Sequence, residues 1–133
     1  MNKKDKLMWY KKRMSNFDRT IVTRKNSLNE IGSHSYEHEL WVFRICRYLI
    51  SGGKYDHALC NDGEFACFGI VTEPINVYTE IRSVDRKFRA DILAMTFPTP
   101  TIIEVAVSEK QESLDKKRKY WEGKGFDYEV VKV

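Results

Sequence analysis

The alternation of apolar and polar positions along the chain predicts one helix followed by three strands. Apolar residues recur with a helical period over residues 34–50, where Leu40 and Phe43 share one face, and two glycines end the helix. Three strands then follow, separated by polar or proline-containing turns, at residues 75–82, 88–95 and 101–107. The third strand is apolar at most positions, which is typical of a central strand buried on both faces.

A second helix and a fourth strand complete the pattern. The helix begins at Ser108, whose sequence Ser108-Glu109-Lys110-Gln111 fits a capping box, and it ends at Gly123 and Gly125. Residues 127–133 alternate as a strand. The order helix, three strands, helix, strand predicts an α/β fold with a mixed, mostly four-stranded central sheet flanked by helices.

The first part of the chain differs from the rest in charge. Residues 1–26 contain nine Lys or Arg and two Asp, a net +7, so the remainder carries −3 of the total +4. Only a short basic helix over residues 3–14 and an extended segment over residues 17–25 are predicted here. We divide the chain into a basic arm, residues 1–33, and a domain, residues 34–133. The arm suits phosphate contact through Lys11, Lys12 and Arg13, although a solvated N-terminus has the same composition.

Composition excludes several classes of protein. Apolar residues make up 42% and charged residues 32% of the 133 residues, as in a globular domain. No apolar run approaches the ~20 residues of a membrane span, and no secretory signal follows Met1, so we expect an intracellular, cytoplasmic protein. Three sparse cysteines do not form a disulfide framework.

Two acidic residues interrupt the apolar strands. Asp91 lies in the second strand and Glu104 in the third, and a carboxylate inside an apolar strand costs several kcal/mol to desolvate. A tight turn would bring the two together, where a divalent cation such as Mg²⁺ would neutralise both and leave sites for a phosphate. The alternative is that each acid forms a salt bridge in a half-exposed sheet. Glu80, in the first strand, is either a further acid at the metal or part of a surface ion pair.

These residues and the strand order resemble the restriction-endonuclease-like superfamily of PD-(D/E)xK nucleases, which includes archaeal-type Holliday junction resolvases. Asp91 matches the motif Asp and Glu104 the motif Glu, and the resemblance covers ~100 residues from His34 onward. It implies a nuclease-like core and a DNA endonuclease that uses Mg²⁺ or Mn²⁺, held by Asp91, Glu104 and the Val105 carbonyl. It also implies assistance from Glu37 or Glu39, DNA substrates that include branched or single-stranded forms, and a homodimer.

The motif lysine is missing from this sequence. Ala106 occupies its position, and alanine can neither orient a water molecule nor stabilise charge on the transferring phosphoryl group. Three interpretations remain open. Lys110 or Lys116 replaces the lysine from the following helix, a second metal ion does its work, or the protein is a catalytically inactive DNA-binding or scaffold protein.

Two other groups of residues have the spacing of zinc ligands. His34 and His38 form an H-x-x-E-H pattern like that of inverted zinc peptidases, although those enzymes are much larger. His57, Cys60 and Cys67 share one irregular segment, but no fourth ligand is evident. For the first group, solvent exposure or contact with phosphate beside the nuclease site is the simpler interpretation.

Overall fold

The computed structural model describes residues 2–17, 36–54, 71 and 73–133. These residues form three helices, α1 (Lys3–Met14), α2 (Tyr36–Ile50) and α3 (Gln111–Gly123), and four strands, β1 (Val77–Arg82), β2 (Arg89–Ala94), β3 (Thr101–Ala106) and β4 (Asp127–Lys132). The predicted α/β class is confirmed. The predictions for residues 18–33, His34, His57, Cys60 and Cys67 lie outside the described residues.

The four strands form one mixed sheet in the order β1-β2-β3-β4. The first two pairings are antiparallel, and β3 and β4 are parallel, so that α3 is the crossover between them. Every residue of β3 is buried, as expected for a central strand covered on both faces. No helix of the described segments is long and apolar enough to cross a membrane.

Two apolar clusters cover the two faces of the sheet. On one face, Ile45 and Leu49 of α2 pack with Ile103 of β3. On the other, Trp121 of α3 packs with Ile102 of β3, and Met14 and Phe17 join the same cluster. Residues at the start of the predicted basic arm are therefore part of the core. Their place is fixed further by the Trp9 indole N–H, which donates to the Pro98 carbonyl at 3.1 Å.

The buried face of α2 differs from the predicted one. Leu40 and Phe43 are 41% and 57% exposed, and the buried residues are His38, Val42, Ile45, Cys46, Tyr48 and Leu49. The helix carries apolar residues on overlapping stripes, and periodicity alone does not say which stripe faces the sheet. The buried stripe begins with His38, a polar residue that contacts Asp91.

The sheet is distorted where Glu80, Asp91 and Glu104 lie, at neighbouring positions of its first three strands. In β1 and β2 the register pairs Thr79 with Ile92 and Ile81 with Ala90 but omits Glu80 and Asp91, and Glu80 has a φ of 51°. Between β2 and β3 the pairing stops at Ile92 and Ile103, one residue before Asp91 and Glu104 would face each other. A positive φ in a non-glycine residue is strained, and such strain is common at functional sites.

Candidate metal centre

Asp91 lies at the point where β2 and β3 separate. Its Oδ2 accepts a hydrogen bond of 2.9 Å from the backbone N–H of Val105, in place of a strand-to-strand bond. The same oxygen is 3.2 Å from Nε2 of His38, at the start of α2. The Asp91 side chain therefore contacts both β3, at the point where the sheet separates, and α2, the helix that covers this part of the sheet.

Glu104 is buried beside Asp91, on the neighbouring strand. The residue has no exposed surface, and the two carboxyl groups are within hydrogen-bonding reach of each other. Neither Glu104 oxygen accepts a hydrogen bond from a donor in the described part of the chain. Burial and the Asp91 charge raise the pKa of Glu104 well above its usual range. Burial also acts to raise the pKa of Asp91, but hydrogen bonds lower it overall, so without a cation the pair retains a proton on Glu104.

Two further buried groups converge on Asp91. His38, Glu80 and Asp91 each offer one ligand atom within 4.8 Å of the other two. Glu80 is only 4% exposed, so it is not in a surface ion pair: its buried carboxylate pairs, at 2.7 Å, with Arg89, whose side chain lines the cleft described below. Burial and Asp91 raise the pKa of Glu80 to about 7. Burial acts to lower the pKa of His38, but Asp91 outweighs it and the pKa is raised.

This donor set has the chemistry of a divalent cation site. Asp91 is a buried carboxylate with Glu80 and His38 converging on one side and Glu104 beside it on the next strand, and burying several carboxylates together is expensive even where Arg89 and Lys117 lie near them. The pKa values of Glu80 and Glu104 are raised, first by burial and then by the Asp91 charge, despite the nearby Arg89 and Lys117. The oxygens of Glu104, which pair with no donor among the described residues, are the ligands that hard cations prefer, and His38 offers a nitrogen close to Asp91.

Lys117 of α3 brings a positive charge to the same place. Its Nζ is 3.8 Å from Oε2 of Glu104 and 2.6 Å from Oε1 of Glu109. Burial acts to lower the pKa of Lys117, but these carboxylates outweigh it and the pKa is raised, so the amine stays charged. Leu114, Lys117 and Trp121 lie on one stripe of α3, three or four residues apart, and that stripe faces the sheet.

Val105, predicted for the site, lies at it through its N–H to Asp91, but the predicted lysines and Glu37 do not reach it. Lys110 precedes the first turn of α3 and is exposed, and Lys116 is exposed because it is rotated about 100° from Lys117. Glu37 is exposed on α2 for the same reason, next to the buried His38. The predicted nucleic-acid contacts Lys11, Lys12 and Arg13 lie on α1 and do not line the cleft described next.

Asp91 opens onto a cleft of about 640 Å³ that His38 and Lys117 also line. Its lining carries five cationic side chains and two acidic ones, Arg82, Arg86, Lys87, Arg89 and Lys117 against Asp91 and Glu109. A low-dielectric cleft with an excess of one charge attracts ligands of the opposite charge. The cleft therefore combines acids that could hold a cation with a surface that attracts an anion.

The sequence left Glu80 open as a further acid at the metal or part of a surface ion pair, and it offered His38 as solvent-exposed or as a phosphate contact beside the site, but a stronger signal for Glu80 was present. The turn between the first two strands is centred on Asp85 and Arg86, and a hairpin with that centre places Glu80 opposite Asp91. No comparable signal marks His38, because helical phase decides which residue at the start of α2 faces inward.

Comparison of the chain with protein-family models, with curated proteins and with solved structures gives no match. The function of the protein is therefore inferred from the geometry of this centre. Its main components are the buried pair Asp91 and Glu104, the nearby His38 and Glu80, and Lys117 at the cleft.

Proposed function

We propose that the protein is a metal-dependent nuclease of the PD-(D/E)xK type that hydrolyses phosphodiester bonds in DNA. One observation carries the proposal. Glu104 is fully buried, no donor in the described part of the chain pairs with either of its oxygens, and it lies beside Asp91, which lines a cationic cleft. Such a pair must be neutralised by a proton or by a cation, and a cation that also faces an anionic ligand is the arrangement that phosphodiester hydrolysis uses.

The fold supports the same proposal. The order α2, three strands, α3 and β4 agrees with the core that the resemblance implies, and Asp91 and Glu104 lie on the two strands where that superfamily carries its motif. We therefore propose a restriction-endonuclease-like core. Fold alone does not establish activity, so the weight rests on the residues of the cleft.

Asp91 and Glu104 would hold the cation, and His38 and Glu80 extend the ligand set around Asp91. A bound divalent cation would act as a Lewis acid on the phosphate and lower the pKa of a bound water molecule. Because an imidazole nitrogen suits transition-metal ions better than Mg²⁺, we propose that Mn²⁺ binds more tightly than Mg²⁺.

Lys117 would take the part of the missing motif lysine. The raised pKa keeps its amine protonated, so it acts as a hydrogen-bond donor and positive charge rather than as a general base. At 3.8 Å from Glu104 it stands beside the metal-binding acids, where negative charge would build up on a phosphate. The competing hypothesis, an inactive DNA-binding or scaffold protein, was based on Ala106 at the position of the motif lysine. A lysine supplied from α3 would take the place of that missing residue, so Ala106 no longer argues against catalysis.

The test is a cleavage assay on end-labelled single-stranded, duplex and branched DNA, with RNA in parallel. Each substrate is incubated with Mn²⁺, Mg²⁺ or EDTA. We expect cleavage that requires a metal and is lost in both Asp91→Asn and Glu104→Gln. The matched control, Glu122→Gln on the exposed face of α3, should cleave normally. Cleavage in EDTA, full activity of both site variants, or no cleavage of any substrate by the wild type would overturn the proposal.

A further inference from the structure

The connection between β1 and β2 forms one wall of the cleft and carries four basic residues, Arg82, Arg86, Lys87 and Arg89, which we call the basic hairpin. We propose that the basic hairpin binds the phosphodiester backbone of a polynucleotide beside the phosphate that is cleaved. The inference rests on the proposed function for the nature of the ligand, because it assigns a backbone-binding site to the same cleft.

The first argument is the pairing at the base of the hairpin. Arg82 and Arg89 are directly opposite each other on the antiparallel strands. Like charges in that position destabilise a sheet unless an anion compensates them. Glu80 pairs with Arg89, whereas Arg82 is exposed at the cleft. A phosphate group bound between the Arg82 and Arg89 side chains would relieve this repulsion.

The second argument is that the turn is held in one shape. Asp85 Oδ1 accepts hydrogen bonds from the Ser83 hydroxyl at 2.6 Å and from the Lys87 backbone N–H at 3.0 Å. The Phe88 N–H donates to the Ser83 hydroxyl at 3.2 Å. Arg86 has a φ of 61°, a conformation that this network maintains at a residue other than glycine. The basic side chains thus project from a defined turn.

The third argument is that the turn is attached to its neighbours on two sides. The Tyr120 hydroxyl of α3 donates to Asp85 Oδ2 at 2.9 Å, and the Tyr120 ring lies 4.4 Å from the ring of Phe88. The Val84 N–H donates to the Asn16 carbonyl at 2.8 Å. The basic hairpin is therefore fixed to the same helix that carries Lys117. Preorganised donors bind a ligand without a large ordering cost.

The continuity of the cleft completes the case. Arg82 and Lys87 line the same cavity as Asp91 and Lys117, so a strand with one phosphate at the acids passes next to the hairpin. The basic residues of α1 line no part of this cavity. The structure therefore favours the basic hairpin over Lys11 and Lys12 as the principal contact with the backbone.

The test compares two double variants that each remove two exposed charges. Arg82→Gln with Lys87→Gln alters the basic hairpin, and Lys11→Gln with Lys12→Gln is the matched control on α1. Binding of a fluorescent single-stranded DNA oligonucleotide is measured by anisotropy in EDTA, over a range of salt concentrations. Losing two phosphate contacts should reduce the slope of log Kd against log salt by about 1.4, which is about 25-fold weaker binding near 0.1 M salt. Arg82→Lys with Lys87→Arg keeps both charges and should keep the slope.

The outcomes separate this inference from the proposed function, because binding is measured without metal or cleavage. A reduced slope in the hairpin variant alone, with unchanged thermal unfolding, supports the basic hairpin even if the wild type never cleaves DNA. An unchanged slope and Kd in the hairpin variant overturns the inference even if the wild type is an active nuclease. A loss confined to the Lys11 and Lys12 variant would also overturn it and assign the contact to α1.

Discussion

Replacing Glu104 with glutamine should stabilise the metal-free protein even though it removes a proposed metal ligand. Both Glu104 oxygens are buried, no donor among residues 2–17, 36–54, 71 and 73–133 pairs with them, and a neighbouring group is the carboxylate of Asp91. A glutamine of nearly the same shape is neutral, and its amide can donate to Asp91. Wild-type Glu104 makes the same hydrogen bond only by keeping a proton, and otherwise leaves a buried carboxylate unpaired at a cost of about 1–3 kcal/mol, so we expect the free energy of unfolding to rise by about that amount in the variant.

The gain should depend on pH, and its sign follows from linkage. The pKa of Glu104 is raised in the folded protein, so the folded state binds a proton that the unfolded state has released. Stability from this group is complete below its unfolded pKa and is lost as the pH rises, by up to about 1.4 kcal/mol per pH unit. The glutamine variant does not titrate at this position. Its advantage over the wild type should therefore be small near the unfolded pKa of glutamate and increase toward alkaline pH.

Thermal unfolding followed by circular dichroism measures the effect. In EDTA at mildly alkaline pH, Glu104→Gln should raise Tm by roughly 4–12 °C. Saturating Mn²⁺ should reverse the order, because a ligand at about 1,000 times its Kd stabilises the wild type by about 4.1 kcal/mol, more than the advantage of the variant, and the variant lacks the site. Glu122→Gln, on the exposed face of α3, should match the wild type under both conditions. A variant less stable than the wild type in EDTA, or equal stabilisation of both by Mn²⁺, would refute the reasoning.

Three further predictions concern the same centre. Lys117→Met should lower the single-turnover cleavage rate by about 10²–10³-fold and leave the Mn²⁺ affinity unchanged. Lys110→Met and Lys116→Met should cleave normally, and a reduced cleavage rate in either would refute the assignment of Lys117. His38→Asn should weaken Mn²⁺ binding more than Mg²⁺ binding in calorimetric titrations, and equal losses would remove the imidazole from the ligand set. Mn²⁺ affinity should fall as the pH is lowered through 7, because protons compete with the metal for His38 and for Glu80, whose pKa is about 7. A Kd that does not depend on pH would contradict this.

Much of the fold followed from the sequence because its signals are local. Alternation and tight turns identify the strands, and the apolar run of β3 identifies the central one. The same local signals indicated that Asp91 and Glu104 would lie on neighbouring strands. The strand divergence at these two residues was not predictable, because it depends on a hydrogen bond between the Asp91 side chain and the Val105 backbone.

Helix orientation accounts for what the sequence did not reveal. Whether Lys110, Lys116 or Lys117 reaches the acids depends on the phase of α3, which the packing of Leu114 and Trp121 determines. The same uncertainty at α2 led to the wrong buried face and concealed His38. A stripe of three or four apolar residues defines the rotational phase of a helix only when the surface against which the helix packs is known.

A crystal structure with Mn²⁺, read by anomalous scattering, tests the central claim most directly. At mildly alkaline pH, we expect a strong anomalous peak within about 2.5 Å of carboxylate oxygens from both Asp91 and Glu104, with His38 Nε2 or Glu80 in the ligand shell. The same crystals of Glu104→Gln should lack that peak. If crystals with saturating Mn²⁺ show no anomalous peak between the two acids, and the two carboxyl groups still share a proton, the account is contradicted.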